Sequence, residues 1–143
     1  MRDGEQLTIG ELARATGVAT STLRYWEEFG LFPAPVRVSG RRRYAASAVG
    51  LVGQILLLQD AGFRLRELTE ILAAWSDDPD AWRALAERKL VELDEQIARA
   101  QAARTALAHG LACRHRDPRD CPTAAGLVTA RVAGVPLAEA HRD

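Results

Sequence analysis

Residues 7–44 read LTIGELARATGVATSTLRYWEEFGLFPAPVRVSGRRRY, and this stretch decides the fold. Thr8 followed three residues later by Glu11 is a capping-box pattern, so a helix opens there with Ile9, Leu12 and Ala13 on its apolar face. Gly17 supplies the turn, because a left-handed backbone is cheap only for glycine. A second helix is expected from about Thr20 through Phe29, with Leu23, Trp26 and Val18 facing the first. Thr20, Ser21, Arg24 and Tyr25 then fall near the opposite face. Hydroxyls, a guanidinium and a phenol in that position suit phosphate and base-edge contacts from a helix inserted in a major groove. Gly30 closes the helix, and Pro33 and Pro35 prevent its resumption.

Beyond the prolines, Val36-Arg37-Val38 and Arg43-Tyr44 are expected to pair as short strands around Ser39-Gly40, which is turn chemistry. Arg41, Arg42 and Arg43 are consecutive, so on a strand they cannot all face one way. At least one should grip phosphate from the hairpin tip, and another should cross back onto the helices. Arg37, Arg41, Arg42, Arg43 and Tyr44 complete the expected DNA-contacting set. Alone, such a loop is as readily a solvated basic turn; beside two helices of this kind the DNA reading is stronger.

The remaining chain bounds that reading. Its 143 residues suit one compact domain, or a small domain with an extended element, and 48% hydrophobic with 27% charged residues is ordinary for a folded soluble protein. No apolar run approaches the ~20 residues needed to span a bilayer. The N-terminus lacks a signal-peptide core, so a cytoplasmic protein without a membrane partner is expected. Net charge is zero, yet residues 1–66 hold nine arginines against six acids (+3) while the rest carries −3. The basic excess therefore sits on the helix-turn-helix stretch.

From Ala46 the pattern is helical again, with Val49, Val52, Ile55, Leu56, Leu57 and Leu58 on a broad apolar face that ends near Gly62. Another helix is expected from about Leu65 to Trp75. Arg64 is a poor cap for it, and Glu67 in the first turn compensates. Ser76-Asp77-Asp78-Pro79-Asp80 marks a break. Then Leu90, Leu93, Ile97, Ala100, Arg104, Leu107 and Leu111 recur at alternating steps of three and four. A helix of ~25–30 residues spans roughly 40 Å, too long to pack on one small module. Its seam is expected to meet a second copy of itself in antiparallel fashion, holding two DNA modules apart; an intramolecular helical hairpin is the alternative. The expected fold is mainly α. A winged helix-turn-helix with supporting helices occupies 1–76, a dimerisation helix 77–112, and an effector loop with its tail 113–143.

That loop holds the only cysteines, Cys113 and Cys121, with seven residues between them. In a reducing compartment such a pair points to metal or redox chemistry more than to a staple. With His115 between them, thiolate and imidazole suit zinc or copper(I). Arg114, Arg116 and Arg119 are candidates to stabilise thiolate, since a helix C-terminus does not. Asp78, Asp80 and His109 are further candidates to complete the site. Pro122 to Val132 is expected to form a short helix packing back on the long one, before a loose end.

In the order of these parts the chain resembles the MerR family of bacterial transcription regulators. The similarity is carried by LTIGELARATGVATSTLRYWEEFGL, the SGRRRY wing and the QDAGFRLRELTEIL segment, and covers roughly residues 6–112. The resemblance implies a winged helix-turn-helix, an antiparallel coiled-coil dimer and an effector loop beyond the coil. It places Thr20, Ser21, Arg24 and Tyr25 on the recognition helix, and Arg41, Arg43 and Tyr44 in a wing motif usually written Gly-Tyr-Arg-x-Tyr. Here Arg41 or Arg42 replaces the first tyrosine, and Trp26 stands where tyrosine is frequent. It further implies a dimer on a pseudo-palindrome within a promoter whose −35 and −10 elements are misphased. Effector binding then makes the dimer kink and untwist the DNA for RNA polymerase holoenzyme.

The two-cysteine loop resembles that of copper, silver and gold sensors in the same family. Sensors of divalent ions add a cysteine at the start of the partner's dimer helix, where monovalent sensors carry serine. This chain has Asp78-Pro79-Asp80 there, with Ser76 before the break. A linear two-thiolate copper(I) site and a zinc site of Cys113, Cys121, His115 and a carboxylate such as Asp80 both follow. Other readings are a thiol redox or electrophile switch, a structural cysteine pair, and an architectural DNA binder without effector. A thiol enzyme or metal store is the remaining class, and no nucleophile-base-orienter set supports it.

Overall fold

The computed structural model describes residues 5–33 and 35–140. It separates into two compact units, Met1–Ala86 and Glu87–Asp143.

The first unit begins with strand β1 (Gln6–Leu7) and helix α1 (Ile9–Thr16). Thr8 Oγ1 accepts the Glu11 amide at 3.1 Å and Glu11 Oε1 accepts the Thr8 amide at 3.3 Å, so the capping box is closed in both directions. Gly17 takes φ +73 and turns the chain into α2 (Thr20–Phe29), which ends on Gly30 at φ +92. Strands β2 (Val36–Val38) and β3 (Arg41–Ala45) pair antiparallel with Val38 opposite Arg41. Their connection, Ser39 at φ +53 and Gly40 at φ +75, has both central residues left-handed, as tight hairpin turns require. β1 adds to the far side of β3, pairing Leu7 with Tyr44, and gives the sheet order β1-β3-β2. That third strand was not expected; two residues are too few to show a period of two.

Helices α3 (Ala48–Asp60) and α4 (Leu65–Asp77) complete the support. The Arg64 amide donates to Glu67 Oε2 at 2.6 Å, so a first-turn carboxylate does replace the missing cap. Leu12, Leu23, Val52, Ile55, Leu68 and Ile71 are fully buried, and Trp26, Phe32 and Tyr44 close the same cluster. Burial of such leucines and isoleucines supplies about 1.5–3 kcal/mol each.

The break expected at 76–80 narrows to one extended residue, Asp78, whose Oδ1 accepts the amides of Asp80 and Ala81 and caps α5 (Pro79–Ala112). The opening turns of α5 belong to the first unit, where Trp82 and Leu85 join its core. Trp82 also meets Trp75 edge-on at 5.4 Å. α5 starts at Pro79 and, with 34 residues, is about 50 Å long.

The second unit comprises the rest of α5, a short 3₁₀ turn (Pro118–Asp120), α6 (Pro122–Val132) and a brief unanticipated α7 (Leu137–Ala140). Along α5, Leu90, Ile97, Leu107 and Leu111 are 53–91% exposed, Ala100 and Arg104 are exposed, and Leu93 is half-buried. No helix among the described residues is long and apolar enough to cross a membrane.

Candidate functional site

Two groups of side chains carry chemistry. The first lies on α2 and the hairpin. Packing of Leu23 and Trp26 into the core turns Ser21, Arg24 and Tyr25 outward, with Thr20 half-buried. Tyr25 is 54% exposed and leans on Phe29 with ring centroids 6.1 Å apart. On the hairpin, Arg37 and Arg41 are exposed and Arg43 is half-buried. Arg37 Nη1 donates to the Gly40 carbonyl at 3.3 Å, which steadies the tip. Arg24 and Arg41, far apart in the chain, line one recess of about 420 Å³ beside Thr8 and Ile9 at the start of α1. Two cations beside a helix N-terminus are chemistry for an anionic oxygen.

Two members of the expected DNA set lie elsewhere. Tyr44 is buried at 3% exposure, with its ring edge-on to Phe32 and its hydroxyl donating to Glu27 Oε2 at 2.9 Å. Burial and the neighbouring Glu27 carboxylate push its phenol up to about 12. Arg42 donates through Nε to the same Glu27 oxygen at 3.0 Å. The alternation of a strand explains both placements: Arg42 and Tyr44 share the inward face, and Arg41 and Arg43 do not. Tyr44 therefore belongs to the core and not to a DNA-facing surface. Arg42 is the arginine that crosses back onto the helices. Glu27, not singled out from the sequence, joins β3 to α2.

The second group lies at the end of α5. His109 is on its last turn and Cys113 follows Ala112, so the two share a helix face at a spacing of four. The Cys113 amide donates to the His109 carbonyl at 2.8 Å, extending the helical ladder to the cysteine. Cys121 directly precedes Pro122, which starts α6 with a ready-made φ. His109 Nε2 lies 3.4 Å from Cys121 Sγ, and the two sulfurs are 3.6 Å apart. All three ligand atoms fall within 4.8 Å of one another. Cys121 is buried, Cys113 partly so, and both are free thiols.

His115, expected as the third ligand, places Nδ1 3.3 Å from Cys113 Sγ but stands outside the three-residue cluster. Asp78 is engaged as the cap of α5 and Asp80 lies in its first turn; neither belongs to the three-residue cluster of this protomer. Nor do the arginines activate the thiols as expected: Arg119 is held by Asp117 at 2.6 Å, and Arg114 and Arg116 are exposed. The His109 ring and the Ala124 and Thr123 amides in the first turn of α6, with Cys113, lower the Cys121 thiol to about 6 against the opposing effect of burial. The His109 ring at the end of α5 contributes most, and the start of α6 adds to it. Around these groups runs a cavity of about 630 Å³ with mainly apolar walls, including Leu107, Leu111, Leu127 and Val128. Two thiols and an imidazole at these distances fit a soft or borderline metal ion.

Comparison with known proteins identifies the family. Residues 7–75 match the MerR HTH family regulatory protein family, and residues 50–110 match the family described as MerR, DNA binding. The HTH-type transcriptional regulator HmrR of Sinorhizobium medicae (strain WSM419) is 34% identical over 121 residues, covering 81% of this chain and 82% of that protein. The mercuric resistance operon regulatory protein of Serratia marcescens is 35% identical over 129 residues, covering 86% and 88%. Heavy metal-dependent transcription regulator 2 of Rhizobium meliloti (strain 1021) is 32% identical over 121 residues. Among solved structures, HiNmlR, a MerR family regulator lacking the sensor domain and bound to promoter DNA, superposes with a TM-score of 0.58 at 20% identity. That match covers 92% of this chain and 97% of that one, and supports the fold.

Proposed function

This chain belongs to the MerR family of DNA-binding transcription regulators, and from that premise we propose that it is a homodimer whose activation of a promoter is controlled by a metal ion at Cys113 and Cys121. As a regulator it is not an enzyme. The observation that carries the effector assignment is the 3.6 Å approach of the two sulfurs beside His109. Names of relatives, heavy-metal and mercuric regulators among them, point the same way.

The dimer reading rests on the uncovered leucine and isoleucine stripe of α5, which a second α5 in antiparallel orientation would bury. Two α2 helices then meet successive major grooves of a pseudo-palindromic double-stranded site, in the cytoplasm, with Arg24, Arg37 and Arg41 gripping backbone. In a promoter with an over-long spacer, kinking and untwisting realigns the −35 and −10 elements for RNA polymerase holoenzyme, and without effector the dimer can repress. Such deformation costs about 1–6 kcal/mol by elastic estimates. The effector must therefore favour the distorting state by a comparable differential free energy. A bound ion, zinc or copper(I), supplies a cross-link between the end of α5 and the start of α6.

Transcription in vitro from the promoter beside its own gene, with and without added metal, tests this reading. Metal-dependent activation that disappears in Cys113→Ser is the expected result. Activation unchanged in the Cys113→Ser, Cys121→Ser double variant would overturn it. One second reading has its own support. Sulfurs 3.6 Å apart, one with a thiol near 6, can lose two electrons and two protons to an oxidant and form a disulfide. Oxidant-dependent, thiol-reversible loss of activation by metal-free protein would favour it.

A further inference from the structure

The cysteine pair leaves the class of cation open, and the ligand geometry narrows it. With metal–sulfur bonds of about 2.3 Å and metal–nitrogen bonds of about 2.0–2.1 Å, a tetrahedral ion holds two sulfurs roughly 3.8 Å apart and a sulfur and nitrogen roughly 3.6 Å apart. A linear two-sulfur site instead needs the sulfurs roughly 4.5 Å apart, twice one bond length. The observed separations are 3.6 Å between sulfurs and 3.4 Å from His109 Nε2 to Cys121 Sγ. Both are close to tetrahedral edges. The sulfurs are too near for a linear ion between them.

We propose that His109 is a third ligand from the same protomer, and that the His109–Cys113–Cys121 set prefers a divalent, four-coordinate cation of the zinc class to a monovalent one. This rests on the metal reading of the cysteine pair and specifies its ion. His109 and Cys113 sit one helical turn apart on a continuous backbone, so their ligand atoms are preset by α5. Cys121 is fixed by the start of α6. Charge argues in the same direction. Two thiolates and a neutral imidazole cancel the charge of a divalent ion, which suits the buried position of Cys121. A monovalent ion leaves one negative charge there, and Arg119 is already engaged by Asp117. The three ligands leave a fourth position, which water takes in many zinc sites.

The test uses the full chain, reduced and anaerobic, titrated with Co²⁺ and then with Zn²⁺ under competition, with Cu(I) affinity measured separately. Wild type should show the intense visible bands of tetrahedral cobalt. His109→Ala should lose them and bind Zn²⁺ at least about 100-fold more weakly, beyond the 10–100-fold typical of losing a group that merely orients a ligand. Its Cu(I) affinity should change less than tenfold. His115→Ala should keep both properties, and His109→Cys should restore a tetrahedral spectrum. Because His109 is exposed, helicity of these variants should match wild type. If His109→Ala keeps wild-type Zn²⁺ affinity and spectrum while Cys113→Ser abolishes binding, His109 is no ligand and the cysteine reading survives. If wild type binds none of the three ions, both fail.

Discussion

The two units differ in how complete each is alone. In the first, the cluster of Leu12, Leu23, Val52, Ile55, Leu68 and Ile71 is sealed from solvent and sets the pose of α2 and the hairpin. In the second, the buried residues among those described are Lys89, Ala102 and Cys121, while Leu90, Ile97, Leu107 and Leu111 face outward. A module that reads a groove must hold one shape, and it is built on a dry core. A module that switches must have an alternative close in energy, and it is built with few apolar contacts of its own. In the proposed dimer, a second chain and an ion would supply the stability it lacks.

This contrast can be broken at its strongest point first. Leu23→Ala, which opens a cavity in the first unit, should lower unfolding free energy by about 2–5 kcal/mol in a denaturant titration. A loss below about 1 kcal/mol would mean the core is not what holds α2. On the other side, Ile97→Asp changes a residue 53% exposed and should leave the first unit's unfolding midpoint nearly unmoved. A charge forced into a covered seam costs several kcal/mol, however, so dimer dissociation by sedimentation should become at least about 100-fold easier. Unaltered self-association would show that the stripe meets something else.

Smaller effects sharpen the comparison within the first unit. Tyr44→Phe removes one hydrogen bond to a carboxylate and should cost about 1.5–3 kcal/mol at neutral pH. Because the folded phenol titrates near 12 and an unfolded one near its ordinary 10, its contribution is intact below pH 10 and fades as pH rises through 12. The gap between wild type and Tyr44→Phe should therefore close over that window in parallel alkaline denaturations. Smallest is Ser39→Asn at φ +53, where asparagine tolerates the left-handed turn better; a gain of roughly 0.5 kcal/mol in thermal unfolding is expected.

What could be read in advance follows the same division. Thr8 and Glu11, Gly17, Gly30 and the Ser39-Gly40 turn are local signals, and local hydrogen bonds decide them. β1 was invisible because its pairing with Tyr44 is made across almost forty residues by two residues of strand. Tyr44 was misplaced because three adjacent arginines mask which hairpin face is inward. At the metal-binding candidate, closeness in sequence points to His115, between the cysteines, whereas the helical spacing of four brings His109 alongside Cys113 and Cys121. Pro122 likewise announced a helix start at Cys121, and with it part of the thiolate's stabilisation.

Glu27 has a consequence for how the protein finds its site. Association with duplex DNA is driven by release of condensed cations, one for each phosphate that a positive side chain neutralises. Arg42 has already given its charge to Glu27, so the run of three arginines counts for less than three in that exchange. In the proposed complex, the steepness with which salt weakens binding falls instead to Arg24, Arg37, Arg41 and Arg43. In that complex Glu27, by withholding one cation from the wing, would lower affinity for arbitrary duplex and leave the contacts that depend on the orientation of α2 untouched. In a crowded genome it is the ratio of those two affinities that lets a scarce regulator occupy its promoter.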